Sequence, residues 1–140
     1  MLRLSISRVF FPAALRVLLS FSPPLAVVTA LQAQGNPLWY YRFDWDELPA
    51  PFNDIYGAAH AFDLPFIFGN FGPSLYAAIS YTQANRSGRL ALSDAMMRSI
   101  GAFARNGDPN HSGLGLTWPQ WPATLVFDAT PTAKAISVLN

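Results

Sequence analysis

The stretch from Tyr56 to Gly69 constrains this chain more than any other. It is apolar and aromatic apart from His60 and Asp63, yet Gly57, Pro65 and Gly69 divide it. Proline removes a helix hydrogen bond and glycine forfeits backbone entropy, so no long helix runs through these residues. An apolar segment without long regular structure has to be held by packing against something rigid. A loop held in that way is a common place for a reactive side chain.

The rigid partner is legible on either side. Leu38-Trp39-Tyr40-Tyr41-Arg42-Phe43 is a short aromatic run bounded by Gly35-Asn36-Pro37 and by Asp44, which favours a buried strand. Residues 44–54 contain Pro49, Pro51 and Asn53 and read as a surface loop. His60 then falls in a loop beyond a strand. Residues 82–90 are polar and turn-like and read as an exposed connection. The clearest helix is 94–106: Ser93 suits the N-cap, Asp94 the first turn, and Met96, Ile100 and Phe103 share one face. Gly107 suits the residue after the helix, and Asp108-Pro109 cannot continue it. Further on, Trp118-Pro119-Gln120-Trp121-Pro122 is a rigid aromatic turn, and 124–127 and 135–138 read as two short strands.

Composition narrows the function classes. Hydrophobic residues make up 51% of the 140 and charged residues 12%, against an ordinary charged share of about 25%. Such a chain is too apolar for disorder, and part of its surface reads as meant to be buried against other protein. The formal net charge is +1 and there is one lysine, so nucleic acid is not expected as a partner. No cysteine occurs, which excludes disulfides, thiolate zinc sites and cysteine nucleophiles. The spacing of His60, Asp63 and His111 gives no metal signal, and no cofactor is expected. Residues 1–43 hold four arginines and no acid, and with Val17-Leu18-Leu19 and Leu25-Ala26-Val27-Val28 they resemble a secretory signal ending near Ala30 or Ala33. Arg16, Pro12, Pro23 and Pro24 speak against that reading. The apolar runs fall short of the roughly 18 residues of a membrane span, so no integral span is expected. Cytoplasmic and secreted locations both stay open.

From Gly57 to Gly69 the chain follows a Gly-x-x-His-x-x-Asp-Leu-x-Phe-x-Phe-Gly pattern. In this it resembles the histidine segment of the type-B carboxylesterases, the serine esterases that include para-nitrobenzyl esterases and cholinesterases. The resemblance extends through Trp39–Trp45, through Ser93–Met97 and Phe103–Asn110, and through Trp118-Pro119, Trp121-Pro122 and Leu125–Asp128, about 37–140 in all. It implies an α/β class, specifically the C-terminal part of an α/β-hydrolase fold, an incomplete sheet with packing helices. Residues 35–140 would be the C-terminal part of a carboxylesterase domain. Residues 1–34 would be an apolar N-terminal segment, either signal-like or diverged esterase body.

The resemblance makes His60 the catalytic base. Its imidazole would take the serine proton, then protonate the leaving alcohol or activate water. In α/β-hydrolases the triad runs serine, acid, histidine along the chain. A C-terminal portion therefore carries the histidine alone, and no G-x-S-x-G occurs in this sequence. Ser74 comes nearest and lacks the second glycine. Phe62, Phe66, Phe68 and Phe71 are candidates to line the acyl or alcohol pocket, with core packing the alternative for each. Asp63 reads as a loop anchor bonded to backbone N–H groups rather than as the triad acid. His111 reads as exposed in a polar turn, and the glycosylation-type triplets at Asn85 and Asn110 are common by chance.

The implied function is hydrolysis of a small-molecule carboxylic ester. The chain alone is expected to be inactive without its nucleophile, acid and oxyanion hole. Its implied partner is the missing N-terminal part of the esterase. The alternative is a small non-catalytic apolar binding or docking module, exported if the signal reading holds.

Overall fold

Tyr41 and Phe43 of one short strand, with Leu125 and Phe127 of its neighbour, build the centre of the molecule. A computed structural model describes residues 25–35, 37–75 and 77–140, so the signal-like features of residues 1–24 lie outside the described residues. Strand β1, Tyr40–Phe43, runs parallel to β2, Thr124–Phe127, with Tyr41 opposite Leu125 and Phe43 opposite Phe127. Strand β3, Ser137–Leu139, pairs antiparallel with the far edge of β2, giving the order β1-β2-β3. The central strand β2 has three consecutive buried residues, as expected of a strand covered on both faces. Tyr41 and Phe43 point to one side of β1, where the Tyr41 ring meets Phe127 edge-on at 5.5 Å and Phe43 meets Phe66 at 5.1 Å.

The helices are α1 (Leu25–Gln32), α2 (Phe52–Tyr56), α3 (Leu64–Phe68), α4 (Ala77–Ser80) and α5 (Arg86–Asn106), followed by a 3₁₀ turn at Ser112–Leu114. A parallel strand pair needs a long crossover, and α5 is its main element. It buries Leu92, Met96 and Phe103, and Phe103 meets Trp39 edge-on. The Trp118 indole closes the other end by donating from Nε1 to the Tyr40 carbonyl at 3.1 Å.

Four local expectations need correction. The polar segment 82–90 is not wholly an exposed connection: α5 begins at Arg86, and Gly88 and Arg89 are buried. Arg89 lays its guanidinium over the Phe71 and Tyr81 rings, and a Cβ on Gly88 would lie 1.8 Å from the Thr130 carbonyl oxygen. Packing therefore extended a helix that polarity argued against. Ser93 is not its cap but a buried mid-helix residue, whose hydroxyl donates to the Phe66 carbonyl at 2.8 Å. Residues 44–54 are not all surface loop, since Trp45 and Leu48 are buried and α2 starts at Phe52. The last strand is Ser137–Leu139 rather than 135–138. The C-terminal stop of α5 is as the sequence indicates, with Gly107 left-handed at φ 73° and its N–H bonded to the Phe103 carbonyl.

Candidate active site

The segment that carries His60 leaves β1 through the Trp45–Leu48 core contacts and α2, then turns sharply. Gly57 ends α2 at φ 51°, ψ −142°, a conformation that only glycine adopts readily. Next comes a tight turn closed by the Phe62 N–H bonded to the Ala59 carbonyl at 3.1 Å. His60 and Ala61 are its two central residues, and the His60 side chain is exposed at the rim. Ala61 has φ 68°, at the turn position that usually takes glycine. Holding a Cβ there costs on the order of 1 kcal/mol.

The residues after the turn hold it down. Phe62 is buried in the core cluster. Asp63 occupies the N-cap of α3, yet its side chain makes no capping hydrogen bond. Its Oδ2 instead accepts from the hydroxyl of Tyr41, 2.9 Å away on β1. The anchoring expected of Asp63 is therefore present but directed to a tyrosine hydroxyl rather than to backbone N–H groups. Burial, reinforced by the charge and hydrogen bond of Asp63, pushes the Tyr41 phenol well above its ordinary range. Helix α3 ends at Gly69, φ 62°, where an added Cβ would also come 2.6 Å from the Met97 sulfur.

Beside the turn lies a cleft of about 290 Å³ lined by Ala61, Leu64, Pro65, Phe68, Asn70, Gly72, Pro73 and Ser74. Of the four phenylalanines singled out from sequence, Phe68 lines it and is largely exposed. Phe62 and Phe66 sit in the core, Phe66 between Phe43, Trp45 and Phe71. Phe71 is half-buried, with its ring against Phe66 and Tyr81 and under Arg89. The Ser74 hydroxyl accepts from the Ala77 N–H at 3.1 Å, an ordinary serine turn. His111 is not exposed as expected: it is half-buried, its Nε2 directed at the Ala95 carbonyl (3.3 Å) and Ser99 Oγ (3.1 Å). Asn85 and Asn110 are both structural. Asn85 is buried and donates to the Glu47 and Ser80 carbonyls, and Asn110 pins the Trp118 backbone.

The sequence model of the carboxylesterase family matches residues 12–135, most of the chain. This chain belongs to the carboxylesterase family. It is 32% identical over 122 residues to para-nitrobenzyl esterase of Bacillus subtilis (strain 168), a match that covers 84% of this chain and 23% of that protein. It is also similar to a crystal structure of a Geobacillus stearothermophilus carboxylesterase (TM-score 0.55, 32% identity, 76% of this chain and 21% of that one). A third similarity is to an esterase from Clostridium hathewayi (TM-score 0.62, 26% identity, 83% and 21%). The chain thus spans about a quarter or less of the length of these carboxylesterases, and its helices and small mixed sheet are part of their α/β-hydrolase fold. Among the described residues, no helix is long and apolar enough to cross a membrane.

Two features of this carboxylesterase loop were not legible from sequence. Tyr41 reads there as one more aromatic of a buried strand, and nothing in the residue order pairs it with an aspartate 22 positions on. Ala61 fills a position where glycine would have announced the left-handed turn.

Proposed function

We propose that this chain is the base-bearing portion of a serine carboxylesterase and that His60 is its general base. The observation that carries this reading is the exposed His60 on a sharp turn whose two flanks are fixed, beside an apolar cleft. A ring sealed inside the core would have had no path to a serine. The nucleophile, acid and oxyanion donors belong to the part of the family's body that this chain does not span. In the assembled enzyme His60 accepts the serine proton, then delivers it to the departing alcohol and later activates water. The apolar lining, Leu64 and Phe68 above all, suits the hydrocarbon part of a small carboxylic ester. Phe62, Phe66 and Phe71 act behind it as packing that fixes the wall. Residues 35–140 form this portion. The family match beginning at residue 12 supports the esterase-body reading of the segment before it over a signal.

The exposed apolar side chains Ile55, Tyr56, Leu64, Phe68 and Leu75 favour a related second reading, in which they are covered by the remainder of the esterase. One experiment addresses both. The chain is co-expressed with a Bacillus subtilis para-nitrobenzyl esterase shortened by its C-terminal quarter and assayed on a short-chain aryl ester. Neither part alone should turn over ester, the pair should, and His60→Ala should abolish it. Turnover by this chain alone, or turnover by the pair that survives His60→Ala, overturns the proposal.

A further inference from the structure

We infer that Tyr41 is a positioning residue of this site: its hydroxyl, acting through Asp63, holds the turn that presents His60. The inference rests on the reading of His60 as base and goes beyond it by assigning the group that sets where the imidazole stands.

Three observations converge. First, the bond is long-range: Tyr41 lies on β1, and the aspartate it reaches follows His60 by only three residues. It ties the loop to the sheet rather than to itself. Second, the Tyr41 ring is packed on every side. It is fully buried and gripped edge-on by Trp118 at 6.1 Å and by Phe127 at 5.5 Å. A hydroxyl on so fixed a ring defines a point in space to which the loop is referenced. Third, Asp63 forgoes the usual use of an aspartate at its position. It stands at the N-cap of α3 without capping the helix, and its carboxylate is turned to Tyr41 instead.

The turn has need of such a tether. Ala61 sits at φ 68°, so the backbone of His60-Ala61 has a relaxed alternative toward which it drifts if released. The Phe62 plug holds the loop by contact, which tolerates sliding. The Tyr41–Asp63 bond adds direction. General-base catalysis demands placement within hydrogen-bond reach of the serine, and small misplacements of the base are costly in rate.

The Phe62 amide is the reporter, because its hydrogen bond to Ala59 closes the His60 turn. Native-state hydrogen exchange on the full chain compares it with amides in the middle of α5. Tyr41→Phe keeps the ring and its contacts but removes the hydroxyl. Exchange at Phe62 should accelerate about tenfold while α5 is unchanged. Asp63→Ala should reproduce the effect, and Asp63→Asn, which still offers an oxygen, should restore most of the protection. In the reassembled esterase, Tyr41→Phe should lower kcat about tenfold with KM within about twofold. An equal acceleration at Phe62 and α5, or an unmoved Phe62 amide in Asp63→Ala, overturns the inference. So does a loosened turn with unchanged kcat. The base assignment is tested separately by His60→Ala, so the two can fail independently.

Discussion

Helix α5 and the His60 loop use similar residues to opposite ends. Along α5 the apolar side chains Leu92, Met96 and Phe103 point inward, and the serines at 93 and 99 are buried as well. Around His60 the chain is as apolar, but its helices are five residues long and part of its hydrocarbon faces out: Phe68 is 73% exposed and Leu75 85%. In α5 stability is distributed over many contacts along its length. In the loop, orientation rests on a few points: Gly57, the Phe62 plug and the Tyr41–Asp63 bond. Distributed packing makes a floor, and sparse anchoring leaves exposed positions such as His60 that can be altered without unfolding the protein.

If that contrast is right, substitutions should separate activity from stability. The largest effect is expected at His60. In the assembled esterase, His60→Ala should lower kcat on an aryl ester by about 10⁴-fold. The thermal unfolding free energy should stay within about 1 kcal/mol, as for an exposed loop residue. Comparable losses in stability would erase the distinction between floor and site. Phe66→Ala should do the reverse, costing about 4 kcal/mol in urea unfolding because the ring is wholly buried between Phe43, Trp45 and Phe71. Gly88→Ala follows at about 3 kcal/mol, since the new Cβ would meet the Thr130 carbonyl, which is backbone and cannot rotate away.

Tyr41 ties the His60 loop to β1, and alkaline pH sharpens its part. In the fold, burial and the neighbouring Asp63 hold its phenol above the unfolded value of about 10. The folded state therefore holds this proton more tightly, so the contribution is fully present below about pH 10 and is lost as pH rises toward the folded value. The urea midpoint should fall above about pH 10, and less steeply in Tyr41→Phe. The smallest effect is expected at Arg98, whose exposed pair with Asp94 on the outer face of α5 should contribute about 0.5 kcal/mol or less. A larger loss in Arg98→Ala would show that α5 is less evenly supported than its core contacts suggest.

The His60 pattern was more legible in the residue order than the scaffold around it. The His60 pattern and the stop at Gly107 are local: spacing on one short segment states them, and tertiary structure leaves them in place. The start of α5 was not legible, because Gly88 and Arg89 look like an exposed turn until Thr130, Phe71 and Tyr81 arrive from elsewhere in the chain. The same holds for Ser93, a natural cap by sequence and a buried donor to Phe66 in the fold. Among the four phenylalanines, shared chemistry concealed different fates, since only packing sends Phe66 inward and leaves Phe68 at the cleft.

By itself, then, the order of residues determined the family pattern around His60 and roughly what regular pieces surround it, since those depend on neighbours a few positions apart. Which face each aromatic turns to, where the long helix begins and what holds the histidine turn were decided by tertiary structure. They depend on contacts between distant segments, such as the hydroxyl of Tyr41 meeting the carboxylate of Asp63, and those contacts come into being only when the sheet and the loop fold together.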